Sequence, residues 1–262
     1  MILGLPAGTR RRAEPAAPPV APMPGMMQTV DEPVTTPWRP WEAIPVGLAA
    51  MCASLLVAVM LAAAGAGTGG TSILISAITL SAAFMGFSVA WVAIRHRRGV
   101  DALGLRATRF ARELAMGAWF GVGLFGVTGF VLLPLIVTVW RAITGAPPDP
   151  IDQPILPVEP SSVETVLGAF AVCIAAPLGE EVFFRGFLFG ALRGRLGWLR
   201  AALISAGVFA LFHVDPLLVV LMVFVGLALA WLYERRGSLV APIGAHAMFN
   251  VIGYTLLVME RV

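Results

Sequence analysis

The chain has 262 residues, of which 58% are hydrophobic and only 13% are charged, and its mean hydropathy is +0.87. Soluble domains carry roughly a quarter charged residues, so this composition excludes a soluble globular protein and indicates an integral membrane protein. The net charge of +3 is explained by basic loops that face anionic lipid, and it gives no reason to infer nucleic-acid binding.

The first forty residues differ in composition from the rest of the chain. They are rich in proline and alanine and have no apolar periodicity, so residues 1–40 are predicted to form a disordered tail. A run of arginines at 10–12 is not followed by an apolar core, which argues against a cleaved signal peptide. The sequence PWRPW at 37–41 predicts an interfacial anchor with its indole rings at the headgroup level.

Apolar segments long enough for membrane helices then follow one another to the end of the chain. A hydrocarbon core of about 30 Å needs roughly 20 apolar residues in helical form. The sequence therefore predicts an all-α, polytopic membrane helical bundle of about seven transmembrane helices, with a range of six to eight. The predicted spans are 43–64, 72–94, 114–140, 163–192, 198–212, 217–233 and 239–259.

The distribution of arginines predicts which ends of these spans face the cytoplasm. The arginines cluster in alternate loops, at 95–112, 193–200 and 235–236, whereas the other loops are uncharged or mainly acidic. By the positive-inside rule the basic loops are cytoplasmic, so the N-terminus is predicted to be inside and the protein to lie in a bacterial-type inner or plasma membrane. The charges of Asp215, Glu234, Arg235 and Arg236 are interpreted as solvated loop charges.

Three charged residues interrupt the fourth predicted span. Each costs about 2.5–3.5 kcal/mol at the membrane centre, so Glu180, Glu181 and Arg185 need partners or a function. Glu181 and Arg185 are four residues apart and can pair on one helix face. Glu180 projects about 100° away and needs another partner. Pro177 is expected to kink the helix and open its backbone beside a pocket.

Two later spans carry the other membrane-buried polar residues. His213 ends the sequence FALFH, while His246 and Asn250 share a helix face in HAMFN. Counting about 1.5 Å per residue from the nearest cytoplasmic arginine places these residues and Glu180 within roughly one helical turn of the same depth. The sequence therefore predicts that they meet, with cytoplasmic-side access because His246 is nearer that face.

These motifs together resemble the CAAX prenyl protease type II family, with its bacterial CAAX proteases and bacteriocin-processing enzymes (CPBP). The motifs are EExxxR from Glu180, FxxxH from Phe209 and HxxxN from His246. The resemblance covers about residues 164–257 and implies an intramembrane endopeptidase. Residues 161–262 would be the catalytic core, and residues 41–160 would be N-terminal transmembrane helices.

The resemblance implies a role for each site residue. Glu180 would activate water, since a carboxylate in a poorly hydrated pocket suits general acid and base work. His213 would bind or polarise the water, and His246 and Asn250 would donate hydrogen bonds to the tetrahedral oxyanion. Glu181, Arg185 and Phe209 would support the site.

The cofactor and the substrate stay open at this point. Zn²⁺ held by His213, His246 and Glu180 and a metal-free glutamate mechanism are weighed equally, and the chain has no HExxH motif. The substrate would be a membrane-associated peptide or protein, whether prenylated or not. A transporter or proton relay and a non-proteolytic scaffold or immunity protein are the alternative functions, and Glu181 with Arg185 can equally be a structural ion pair.

Overall fold

The computed structural model describes residues 36–66, 69–106, 109–148 and 160–261. Most of the tail predicted for residues 1–40 lies outside these ranges. Within them the chain is helical, has no strand, and forms a bundle of seven helices: α1 (Ala43–Ala63), α2 (Gly70–His96), α3 (Phe110–Thr144), α4 (Ser162–Leu196), α5 (Trp198–Leu211), α6 (Pro216–Arg236) and α7 (Val240–Arg261). Helices α3 and α4 each continue through π-helical turns.

Six of these helices are long and apolar enough to cross a membrane, and the protein is a multi-pass membrane protein. The exception is α5, which has 14 residues and rises only about 21 Å. Because the hydrocarbon core is about 30 Å thick, a helix of this length that enters from one surface ends inside it. We therefore expect the turn after α5, which carries His213, to lie at membrane depth.

A tight turn joins α5 to α6. Val214 adopts a left-handed conformation with φ of 59°, which is unusual for a β-branched residue. The Oδ1 atom of Asp215 accepts hydrogen bonds from the backbone N–H groups of Leu217 and Leu218, each at 2.9 Å. Interpreting Asp215 as a solvated loop charge was wrong, because its carboxylate caps the N-terminus of α6.

Two interhelical ion pairs also correct the sequence-based assignment of loop charges. Glu234 pairs with Arg193 at 2.5 Å and joins α6 to α4. Arg236 pairs with Glu113 and joins α6 to α3. Residues beyond the apolar span are helical to Arg236, and this extra turn places both charges beside partners on neighbouring helices. These partners lie on other helices, and contacts between helices cannot be identified from one sequence.

Trp38 is not exposed to the headgroups as an interfacial anchor would be. Its indole is fully buried, stacks on Phe187 with ring centroids 5.3 Å apart, and donates from Nε1 to the Phe187 carbonyl oxygen at 2.9 Å. Trp41 is 58% exposed, and its interfacial position stays a prediction. The difference arises because the π-helical backbone of α4 offers Trp38 a carbonyl acceptor, and an indole N–H is buried most favourably when it has one.

Glycines allow the closest helix contact in the bundle. Gly117 and Gly121 of α3 face the backbone carbonyls of Ala241 and Ala245 of α7. A Cβ atom at Gly117 would lie 2.0 Å from the Ala241 oxygen, and one at Gly121 would lie 2.3 Å from the Ala245 oxygen. Small residues of this kind let membrane helices approach backbone to backbone. They fix α7, which carries His246 and Asn250, against α3.

Replacing Gly117 by alanine is therefore expected to destabilise the protein by about 1–3 kcal/mol, because an added methyl group must push α3 and α7 apart. Gly123→Ala is the matched control on the same helix, since a Cβ atom there has no neighbour within 4 Å. The midpoint of thermal unfolding in detergent should fall for Gly117→Ala and not for Gly123→Ala. Equal midpoints for the two variants would contradict the close contact.

Candidate functional site

The backbone of α4 is unusual around the two glutamates. Two π-helical segments, Ala171–Ala175 and Glu181–Phe189, flank a single α-helical turn at Ala176–Glu180. The Ala176 N–H donates to the Ala171 carbonyl, five residues back, as in a π-helix. Pro177 was expected to disturb the helix here, and the disturbance takes the form of π turns, which are frequent at functional sites.

Side chains of other helices support these π turns. Ser205 of α5 donates to the Phe184 carbonyl at 2.8 Å, and Trp38 donates to the Phe187 carbonyl. The aromatic residues of this segment, Phe183, Phe184, Phe187 and Phe189, are all buried in the protein core. The segment is therefore held from several sides, so the positions of Glu181 and Arg185 are well defined.

Glu181 and Arg185 form the predicted ion pair. Arg185 Nη1 lies 2.8 Å from Glu181 Oε1, and both side chains are fully buried. The Arg185 guanidinium also donates to the Gly226 carbonyl at 3.3 Å and lies 4.4 Å from the centre of the Phe209 ring. These contacts from α5 and α6 fix the pair in the bundle.

His246 contacts both glutamates, one through each ring nitrogen. Its Nδ1 atom lies 2.9 Å from Glu181 Oε1, and its Nε2 atom lies 3.8 Å from Glu180 Oε2. A carboxylate paired with a guanidinium can only accept hydrogen bonds, so Nδ1 is the donor to Glu181. This contact was not predicted from the sequence, because helical spacing identifies Arg185 as the partner of Glu181 and does not indicate a second one.

Glu180 differs from its neighbour in exposure. Its side chain is 22% exposed, whereas that of Glu181 is fully buried. Its shortest ionic contact in the described chain is the one with His246. The two adjacent carboxylates therefore have separate environments: Glu181 is fixed by Arg185 and His246, and Glu180 is accessible.

Phe209 lies between the polar groups of the site. Its ring is fully buried and meets His213 and His246 edge to face, with centroids 5.0 Å and 5.9 Å away. His213 is half-buried, and its Nδ1 atom lies 3.3 Å from the Phe209 carbonyl oxygen. Both histidines therefore contact the Phe209 ring. Among the described residues, the structure gives His213 no hydrogen bond to Glu180.

Asn250 lies one turn beyond His246 on α7 and also faces α4. Its Nδ2 atom donates to the Val172 carbonyl oxygen at 2.8 Å. An amide nitrogen has two hydrogens, so this contact leaves one available. Contacts between α4, α5 and α7 thus join Glu180, Glu181, Arg185, Phe209 and His246. Asn250 joins α7 to the same helix, α4, through Val172.

The residues named for a metal do not form a ligand set in this arrangement. Within the part of the chain that the structure describes, no three His, Cys, Asp or Glu side chains come together in a metal-binding group. His246 uses Nδ1 on Glu181, and His213 Nδ1 lies 3.3 Å from the Phe209 carbonyl oxygen. No catalytic step is therefore derived through a metal.

Comparisons with known proteins agree with the motif resemblance. Residues 162–252 match the family model described as "Type II CAAX prenyl endopeptidase Rce1-like". The Bacillus subtilis (strain 168) protein named "Putative membrane peptidase YdiL" is 38% identical over 77 residues, which are 29% of this chain and 32% of that protein. No solved structure matches the chain significantly. The resemblance carried by the three motifs is thereby confirmed: residues 162–252 are similar to the type II CAAX prenyl endopeptidase Rce1-like family.

Proposed function

We propose that the protein is an intramembrane endopeptidase that hydrolyses peptide bonds of membrane-associated substrates with a water molecule activated by Glu180. The observation that supports this proposal most is the separation of the two carboxylates. Glu181 is fully buried and bonded to Arg185 and His246, whereas Glu180 is accessible and 3.8 Å from His246 Nε2. The match of this region to an endopeptidase family and the name of the bacterial relative support the same chemistry.

In the proposed mechanism Glu180 removes a proton from water, and the resulting hydroxide oxygen bonds to the carbonyl carbon of the substrate. The carbonyl π electrons move to oxygen and give a tetrahedral oxyanion. When the oxyanion collapses, the C–N bond breaks and the leaving nitrogen takes the proton from Glu180. The products are a carboxylic acid and an amine, and Glu180 returns to its starting state.

Asn250 and His246 are proposed to stabilise the oxyanion. Asn250 would use the Nδ2 hydrogen that the Val172 carbonyl does not take. His246 donates its Nδ1 hydrogen to Glu181, so it can donate from Nε2 only as an imidazolium. The Glu181 carboxylate stabilises that imidazolium and holds the ring in place. His213 is proposed to bind or polarise the water.

The division of the chain and its orientation are also part of the proposal. Residues 161–262 would be the catalytic core, residues 41–160 the N-terminal transmembrane helices and residues 1–40 a cytoplasmic tail. The protein would lie in the cell membrane with its basic helix ends in the cytoplasm. In this orientation α5 would enter the membrane from the cytoplasmic side. The α5–α6 turn would then place His213 at the depth of the glutamates.

A comparison of membrane-protein termini in cells tests the function and identifies substrates. Mass spectrometry of protein termini is used to compare three strains. One carries the wild-type gene, one carries a gene that encodes the Glu180→Ala variant, and one lacks the gene. We expect a set of new termini with the wild-type gene only. A transporter or a scaffold would give the same termini in all three strains, and that result would overturn the proposal.

A separate experiment tests whether the activity depends on a metal ion. The purified protein is analysed for bound metal, and its activity on a peptide from the terminus comparison is measured before and after chelation. Because no proposed step uses a metal, we expect activity in the metal-free protein. Activity that is lost on chelation and restored by Zn²⁺ would assign the activation of water to a metal ion.

A further inference from the structure

The hydrogen-bond register of α4 has a break at Pro177. The Ala176 N–H donates to the Ala171 carbonyl, which sets a spacing of five residues. At the next position the same spacing would pair the residue 177 N–H with the Val172 carbonyl. Proline has no backbone N–H, so this bond cannot form and the Val172 carbonyl is left without that donor.

Asn250 supplies the missing donor. Its Nδ2 atom lies 2.8 Å from the Val172 oxygen and comes from α7, 78 residues later in the chain. A carbonyl that loses its partner in a poorly hydrated setting is destabilising, so a hydrogen bond from the Asn250 amide in place of the backbone donor is favourable. One of the two amide hydrogens of Asn250 is therefore used in this hydrogen bond, which fixes the position of the side chain.

Helix α3 contains the same backbone pattern without such a donor. Its π-helical turn at Thr128–Leu132 ends with the Leu133 N–H on the Thr128 carbonyl, and Pro134 follows. The side-chain hydrogen bonds of this stretch run from Thr128 to the Leu124 carbonyl and from Thr138 to the Pro134 carbonyl. Neither reaches the Gly129 carbonyl, which Pro134 leaves open. A proline after a π turn is therefore not sufficient for a side chain to donate to the carbonyl that the proline leaves open.

We propose that Pro177 is a positioning residue for Asn250. By withholding a backbone donor from the Val172 carbonyl, it makes that carbonyl the anchor for one Asn250 amide hydrogen and presents the other to the substrate. The effect on catalysis rests on the proposed function. The hydrogen bond itself does not, and it can be measured separately.

The sequence makes the bond easy to observe, because Asn250 is the single asparagine in the chain. Protein labelled with ¹⁵N-asparagine in detergent micelles gives one pair of side-chain amide signals in an NMR spectrum. In the wild type we expect one of the two protons to be shifted downfield from the position it has in a free side-chain amide. Two protons at free-amide positions in the wild type would overturn the proposal, whether or not any variant folds.

Pro177→Ala restores the N–H at position 177, which should compete for the Val172 carbonyl and release the Asn250 amide. We expect the downfield proton signal to move toward that of a free amide in Pro177→Ala. Pro134→Ala is the matched control, since it restores an N–H after the α3 π turn, and there the Asn250 signals should stay unchanged. Unchanged signals in Pro177→Ala would overturn the proposal.

Kinetics separate positioning from a purely structural role. On a peptide from the terminus comparison, Pro177→Ala should lower kcat about tenfold with KM unchanged, and it should add no loss to Asn250→Ala, because both changes act on one donor. Additive losses, or wild-type kcat in Pro177→Ala, would overturn the positioning role. If the wild type cleaves nothing, the proposed function fails, and the NMR result still decides the hydrogen bond.

Discussion

Replacing Glu180 by glutamine is expected to lower kcat for peptide hydrolysis by about 10²–10⁴-fold, because the amide cannot accept the proton of the attacking water. The protein should keep its fold, since the Glu180 side chain is 22% exposed and its nearest cationic atom is 3.8 Å away. Activity is measured with purified protein in lipid nanodiscs, on a peptide taken from the terminus comparison. KM should change little, because the lost interaction belongs to the transition state.

Glu260→Gln is the matched control for this measurement. It makes the same chemical change at an exposed glutamate near the end of α7, away from the site. We expect wild-type kcat and an unchanged unfolding midpoint in this variant. If Glu180→Gln retained wild-type kcat while His213→Ala lost it, the activation of water would have to be reassigned to His213.

Replacing Arg185 by methionine is expected to lower the free energy of unfolding by about 3–5 kcal/mol, because it removes the guanidinium that pairs with the fully buried Glu181 carboxylate. Stabilities of folded domains are about 5–15 kcal/mol, so a loss of this size is a large share of the total. The unfolding midpoint is measured by heating in detergent while the tryptophan fluorescence is recorded.

Two further variants show whether burial causes the effect. Arg193→Met removes the cation of the pair with Glu234, whose side chains are 22% and 27% exposed, and exposed pairs contribute only about 0–1 kcal/mol. Glu181→Gln combined with Arg185→Met removes both charges and should recover part of the lost stability. Equal losses of stability for Arg185→Met and Arg193→Met would show that burial does not increase the contribution of the Glu181–Arg185 pair.

The membrane helices could be predicted closely from the sequence. The predicted first span, 43–64, is observed as α1 at Ala43–Ala63, and the predicted last span, 239–259, lies within α7 to within one residue. This agreement has a physical cause. In hydrocarbon the backbone N–H and C=O groups have no water to hydrogen-bond with. A long apolar segment therefore forms a helix, in which these groups bond to one another.

Part of the site could also be predicted. The Glu181–Arg185 pair depends only on helical spacing, which the sequence contains. The contact of His246 with Glu181 depends on how α7 lies against α4, and that in turn depends on the glycine contacts between α3 and α7. Contacts between distant helices of this kind leave no pattern in one sequence. The α-helical angle of about 100° per residue also does not hold through the π turns of α4.

The glycine contact between α3 and α7 has a mechanical consequence. Helix α3 has 35 residues and a length of about 52 Å, well beyond the hydrocarbon thickness, so it must tilt or bend. From Leu133 to Thr144 it has no buried residue, and Leu133 and Ile136 are partly buried against the core. Because the N-terminal part of α3 is in backbone contact with α7, we expect a bilayer thickness that changes the tilt of α3 to move α7 as well, together with His246 and Asn250.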